Sequence, residues 1–192
     1  MNLYKIVVGL LIVWFCYSCS GLINFNPEDP LKGFISRYSD TQKNYPGLLV
    51  KTDPSSSVCD LRYAEHSPVY LVNGLQIQQC LKNYDDAIVY IWDAHCTSKR
   101  CYSPGLLQRF CNTKNVELFV VAEYFDGEEL TQFYEIEHPL YGIDTEYYKT
   151  NFIEKYVGKF EADLAVGEDR PGRMLYFKKG KYIGAAEIEF EK

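Results

Sequence analysis

The run AIVYIW, Ala87 to Trp92, constrains the chain most, because six apolar residues follow one another without a polar break. Such a run suits a strand buried on both faces of a parallel sheet. A second run of the same kind, VELFVVAEY, spans Val116 to Tyr124. Between them, PGLLQRFC carries Leu106, Leu107, Phe110 and Cys111 at helical spacing. Strand, helix and strand in this order make a right-handed βαβ unit. A hydrophobic content of 47% and an aromatic content of 16% supply a core around it. The expected class is α/β.

The flanking segments extend the sheet. VYLV from Val69 reads as a short strand, Asn73-Gly74 as a turn, and LQIQQCLKNY as a helix ended by Asp85-Asp86. GEELTQFYEI is a helix candidate, followed by a loop at EHPLYGID. From Thr145 a long amphipathic helix is expected. In it Tyr148, Phe152, Tyr156, Phe160 and Leu164 recur every four residues as a core stripe. RMLYFKKGKYIGAAEIEF reads as two strands around Lys179-Gly180. The expectation is a central mixed sheet flanked by helices, with a helical insertion before the C-terminal hairpin, over residues 61–192. Residues 19–60, punctuated by NPEDP, YPG and DPSSS, read as a tether with one short helix at LKGFISRYS.

The N-terminus is a separate element. Lys5 precedes an apolar core from Ile6 to Phe15, a signal-peptide length and short for a span of about 20 residues. The segment Ser18-Cys19-Ser20-Gly21 resembles the lipobox of bacterial lipoproteins. The resemblance implies removal of residues 1–18, lipidation of Cys19 and attachment to a membrane. An uncleaved anchor is one alternative, since no charge stands between Lys5 and Glu28, and a plain cleaved signal is another. All three place the domain outside the cytoplasm, in the cell envelope. A net charge of −6 with no long basic run argues against nucleic acid as a partner.

Lipidation of Cys19 would leave Cys59, Cys80, Cys96, Cys101 and Cys111, an odd number in an oxidising compartment. Cys80 and Cys111 lie on apolar helical faces and read as core thiols. Cys59 sits in a polar loop, and its pairing with Cys80 is left open. His66 and His138 lack partners at metal-ligand spacing and read as surface or loop residues.

Cys96 and Cys101 carry the chemistry. Trp92, three residues and Cys96 at the end of an apolar strand resemble the thioredoxin superfamily, as does Pro104 eight residues on. RMLYFKKGKYIG resembles that family's last hairpin. The resemblance covers about Val69 to Phe190, with an enlarged segment between Gly127 and Gly167. It implies a Cys96 nucleophile at a helix N-terminus, a resolving Cys101, Trp92 packed beside the site, and Pro171 or Gly172 shaping a substrate groove. The substrates would be protein thiols or disulfides, and neither metal nor organic cofactor is implied. A helix N-terminus and the positive charge of His95, Lys99 and Arg100 would favour the Cys96 thiolate.

Four residues separate the two cysteines, where thioredoxins have two. On an intact helix this step rotates by about 140° and rises about 7.5 Å. A disulfide therefore requires an unwound first turn, with Ser103 as N-cap and Pro104 as first helical residue. The bacterioferritin-comigratory peroxiredoxins have the same spacing, but their Pro-x-x-x-Thr-x-x-Cys fingerprint is absent: Val89 and Asp93 stand in its leading places. Tyr90 stands where thioredoxins keep a buried Asp, and Gly172 falls on their cis-proline. These departures support a second expectation, a non-catalytic accessory protein in which the disulfide is structural. A third is a copper(I) chaperone using His95, Cys96 and Cys101.

Overall fold

The computed structural model describes residues 34–96, 101–167 and 172–186. In chain order these form α1 (Tyr38–Asn44), β1 (Leu49–Lys51), β2 (Val69–Val72), α2 (Gly74–Leu81), β3 (Asp86–Asp93) and α3 (Pro104–Lys114). They continue as β4 (Glu117–Tyr124), α4 (Gly127–Leu130), β5 (Tyr141–Ile143), α5 (Ile153–Asp163), β6 (Met174–Lys178) and β7 (Lys181–Ala185). The strands build one mixed sheet in the order β1-β2-β5-β4-β3-β6-β7. The first five in that order run parallel. Strand β6 is antiparallel to β3, and β7 to β6.

Strand β3 is the spine. Ala87 through Trp92 are all buried, and alternate side chains enter two different cores. Val89 and Ile91 meet Ile77 and Leu81 of α2 and Tyr156, Val157 and Phe160 of α5. Ile88, Tyr90 and Trp92 meet Leu107 and Cys111 of α3, with Leu130, Tyr134 and Ile136 beyond them. The α/β class and the mixed, helix-flanked sheet are as expected from sequence.

Three expectations change. Residues 34–60 are part of the fold and not a tether. Tyr38 of α1 is buried, its ring edge-on to Phe125 at 5.8 Å. Thr41 Oγ1 donates to the Phe125 carbonyl at 2.6 Å, and β1 pairs in parallel with β2. The segment at Asn73-Gly74 is a helix start and not a turn. The Asn73 side chain accepts the Gln76 amide at 3.0 Å, and the Gln76 side chain accepts the Asn73 amide at 3.0 Å. This reciprocal cap satisfies two otherwise orphaned donors.

The expected insertion is only partly helical. The loop at EHPLYGID contains β5, which enters the sheet between β2 and β4. The long helix is shortened to α5 because Asp144 starts a single turn of its own. Its Oδ1 accepts the Glu146 and Tyr147 amides at 2.9 and 3.0 Å. Lys149 then takes a left-handed φ of 56°, which stops helix propagation. Of the stripe, Tyr148, Tyr156, Phe160 and Leu164 are buried, while Phe152 is exposed.

Helices α2 and α5 touch closely at Gly74. A β-carbon there would overlap the Phe160 carbonyl oxygen and lie 2.6 Å from Asp163 Cβ. The Tyr148 hydroxyl accepts the Gly74 amide at 2.8 Å and donates to Asp163 Oδ2 at 2.6 Å. Replacing Gly74 by Ala is therefore expected to destabilise the fold by about 1–3 kcal/mol. Urea unfolding checks this, and a variant as stable as the parent contradicts the packing described.

Candidate functional site

The carboxyl ends of β3 and β4 form the rim on which open α/β sheets present their ligands. At the end of β3, Asp93 makes a tight turn with both its side chain and its backbone. Its Oδ1 accepts the His95 amide at 3.0 Å, and its carbonyl accepts the Cys96 amide at 3.1 Å. The turn brings Cys96 back toward the sheet, half-buried. Cys96 is bonded to Cys101, with the two Cα atoms 5.9 Å apart, inside the usual disulfide range.

Helix α3 starts only after the pair. Ser103 is the N-cap, its hydroxyl accepting the Leu106 amide at 3.3 Å, and Pro104 is the first helical residue. The expected cap is in place, and it makes the bond possible because Cys101 stays outside the helix. The same cap corrects another expectation: neither cysteine lies in the first turn of α3. The helix dipole fades beyond that turn, so it favours a Cys96 thiolate less than the sequence implied. Lys99, Arg100, Pro171 and Cys19 lie outside the described residues.

Charged side chains stand at the same rim. The half-exposed His95 ring has Nδ1 3.6 Å from Asp126 Oδ2. Asp126 also caps α4, accepting the Glu128 amide at 3.0 Å. Arg173, just before β6, pairs with the buried Glu123 at the end of β4 and reaches Asp93 Oδ2 at 3.9 Å. The Arg173 carbonyl accepts the Ile91 amide at 2.8 Å. Gly172, exposed, thus stands beside the end of β3.

Beneath the pair, the buried Tyr90 hydroxyl donates to the Tyr102 carbonyl at 3.1 Å. Burial pushes its phenol up to about 12, so it is a neutral donor there and no proton acceptor. Trp92 is inside the α3-side core, edge-on to Tyr134 at 5.3 Å, and presents no surface to a substrate.

The remaining cysteines have different environments. Cys80, expected as a core thiol, is bonded to Cys59 across a Cα separation of 5.1 Å. Cys80 is fully buried and Cys59 is 8% exposed. This bond ties the loop before Leu61 to helix α2. Gln76 reinforces it, donating to the carbonyls of Asp53 and Ser56 at 2.9 and 3.1 Å. Cys111 is buried and free, as expected, and burial raises its thiol to about 12.

His138 lies in a loop, as expected, but is not at the surface. It is buried at the opposite end of the sheet, Nε2 2.7 Å from Glu117 Oε1, its ring stacked on Phe119 at 4.4 Å. His66 is exposed, as expected of a surface residue. The group of Glu123, Arg173 and Asp126 was not singled out from sequence. The one signal for it is Glu123, a carboxylate at the far end of the apolar stretch Leu118 to Ala122.

The two disulfides should respond differently to reductant. Graded dithiol under native conditions should open Cys96–Cys101 first and leave the shielded Cys59–Cys80 bond intact, as read by differential alkylation and peptide mass spectrometry. Loss of both bonds in parallel contradicts the difference in exposure. Replacing Cys59 and Cys80 together by Ser should cost about 3 kcal/mol of stability in chemical denaturation, as expected for a loop of this size.

No protein-family model, no curated protein and no solved structure matches this chain.

Proposed function

We propose that the protein is a thioredoxin-like thiol–disulfide oxidoreductase of the cell envelope, with Cys96 as nucleophile and Cys101 as resolving thiol. One observation carries the reading. Of the two disulfides, Cys96–Cys101 is the one set at the carboxyl rim of the parallel strands, half-buried, directly after Asp93 and His95 in the turn that carries it. Cys59–Cys80 is shielded in the core. Strand β3, helix α3, strand β4 and a β6–β7 hairpin within one sheet agree with the element order that the resemblance implied. Two disulfides in one chain point to an oxidising compartment. The signal-like N-terminus and Cys19 add attachment through a lipid.

The reaction balances without a cofactor. In the reducing direction, the Cys96 thiolate attacks one sulfur of a substrate disulfide. The substrate S–S bond breaks, and the departing sulfur leaves as a thiolate that takes a proton from solvent. The Cys101 thiol loses its proton and attacks the Cys96 sulfur of the mixed disulfide. The second substrate thiolate departs and is protonated in turn. The substrate has gained two electrons and two protons, and Cys96–Cys101 is oxidised. The reverse sequence oxidises a substrate dithiol.

Tyr90 favours a second reading. It offers the Tyr102 carbonyl a hydrogen bond and gives the pair no proton acceptor from that position, as in a scaffold whose disulfide is structural. Trapping separates the two. A Cys101→Ser variant should accumulate a mixed disulfide through Cys96 with a model peptide disulfide, while Cys96→Ser should form none and lose exchange turnover. A Cys96→Ser variant with full exchange activity contradicts the assignment.

A further inference from the structure

The end of β4 carries one residue too many. Trp92 pairs with Ala122 and Asp93 with Tyr124, so Glu123 is the extra residue of a bulge. Bulges re-aim side chains and are frequent beside functional sites. Here the bulge directs a carboxylate that is 3% exposed onto Arg173. A buried carboxylate needs such a partner. The guanidinium also faces Asp93, whose carbonyl and side chain hold the turn that carries Cys96.

We infer that Arg173 is a positioning residue for Cys96, neutralising Glu123 and Asp93 together and so holding the turn at the end of β3 in an environment that tolerates a thiolate. Without the guanidinium, two carboxylates from adjacent strands would share that rim with the thiolate, and like charges there disfavour it. Other titratable groups among the described residues also face the turn: the Tyr156 hydroxyl donates to the Glu123 carbonyl from α5. His95 sits against Asp126, and the Tyr90 phenol is a neutral donor to Tyr102. The consequence for turnover rests on the proposed exchange reaction. The ionisation of Cys96 in the reduced protein does not.

The test uses the full chain reduced by excess dithiol, with the pH dependence of iodoacetamide reaction at Cys96 read by peptide mass spectrometry. Arg173→Gln should shift the profile to higher pH and slow the reaction about tenfold below the thiol's midpoint, the effect of about one pH unit. Arg173→Lys should keep the parent profile. Glu123→Gln should move it the opposite way, and the Arg173→Gln, Glu123→Gln double variant should fall between the singles. The Glu123→Gln result stands by itself if Arg173→Gln does not fold. Profiles of Arg173→Gln and Glu123→Gln that both coincide with the parent overturn the inference, as does an Arg173→Gln variant that loses stability with its profile unmoved. Shifted profiles in a parent protein without exchange turnover would support this role for Arg173 while removing the proposed function.

Discussion

Six consecutive buried residues in β3, Ala87 to Trp92, feed two cores at once, and each large apolar side chain among them contributes about 2 kcal/mol when removed from water. A strand of that kind has to be covered on both faces and paired on both edges. Helices α2 and α5 cover one face and α3 covers the other, while β4 and β6 take the edges. Once β3 is placed, its carboxyl end is placed too. The turn made by Asp93, the cysteine pair beyond it and the start of α3 then have little freedom. The site is thus a consequence of how the central strand is buried.

The two disulfides differ because of where they sit on this frame. Cys59–Cys80 lies between an irregular loop and the face of α2, among buried apolar residues, and closes a 21-residue separation. It supplies order to a segment with no ladder of its own. Cys96–Cys101 closes a separation of only five residues on the rim, so its constraint on the unfolded chain is smaller. The turn leading to it carries charge: His95 is paired with Asp126, and Asp93 lies within reach of Arg173, which also holds Glu123. Thiol chemistry responds to such an environment, because the thiolate is the reactive form.

Much of this frame was legible in the sequence because the relevant signals are long or chemically specific. AIVYIW and VELFVVAEY are apolar runs of the length and composition that suit central strands. Ser103-Pro104 marks a helix start by two independent preferences. The three-residue strands β1 and β5 are too short to show a period, and Pro and Gly punctuation hid both. Asn73 with Gln76 three residues later is a capping box that the Asn-Gly dipeptide disguised as a turn. The Cys59–Cys80 bond and the Arg173–Glu123 pair join residues 21 and 50 positions apart. Only the folded sheet brings them together, and a bulge that re-aims Glu123 leaves no local mark beyond that residue's own charge after five apolar residues.

If Cys96–Cys101 exchanges electrons while Cys59–Cys80 does not, the two bonds differ in reduction potential, and that is the quantity to measure. The protein would be equilibrated in redox buffers of graded potential, and the state of each pair read by alkylation and mass spectrometry. Cys96–Cys101 is expected to show a reversible transition between about −120 and −270 mV, the range spanned by exchange catalysts. A bond that resists reduction below about −300 mV would be a structural staple, and would contradict exchange at this pair.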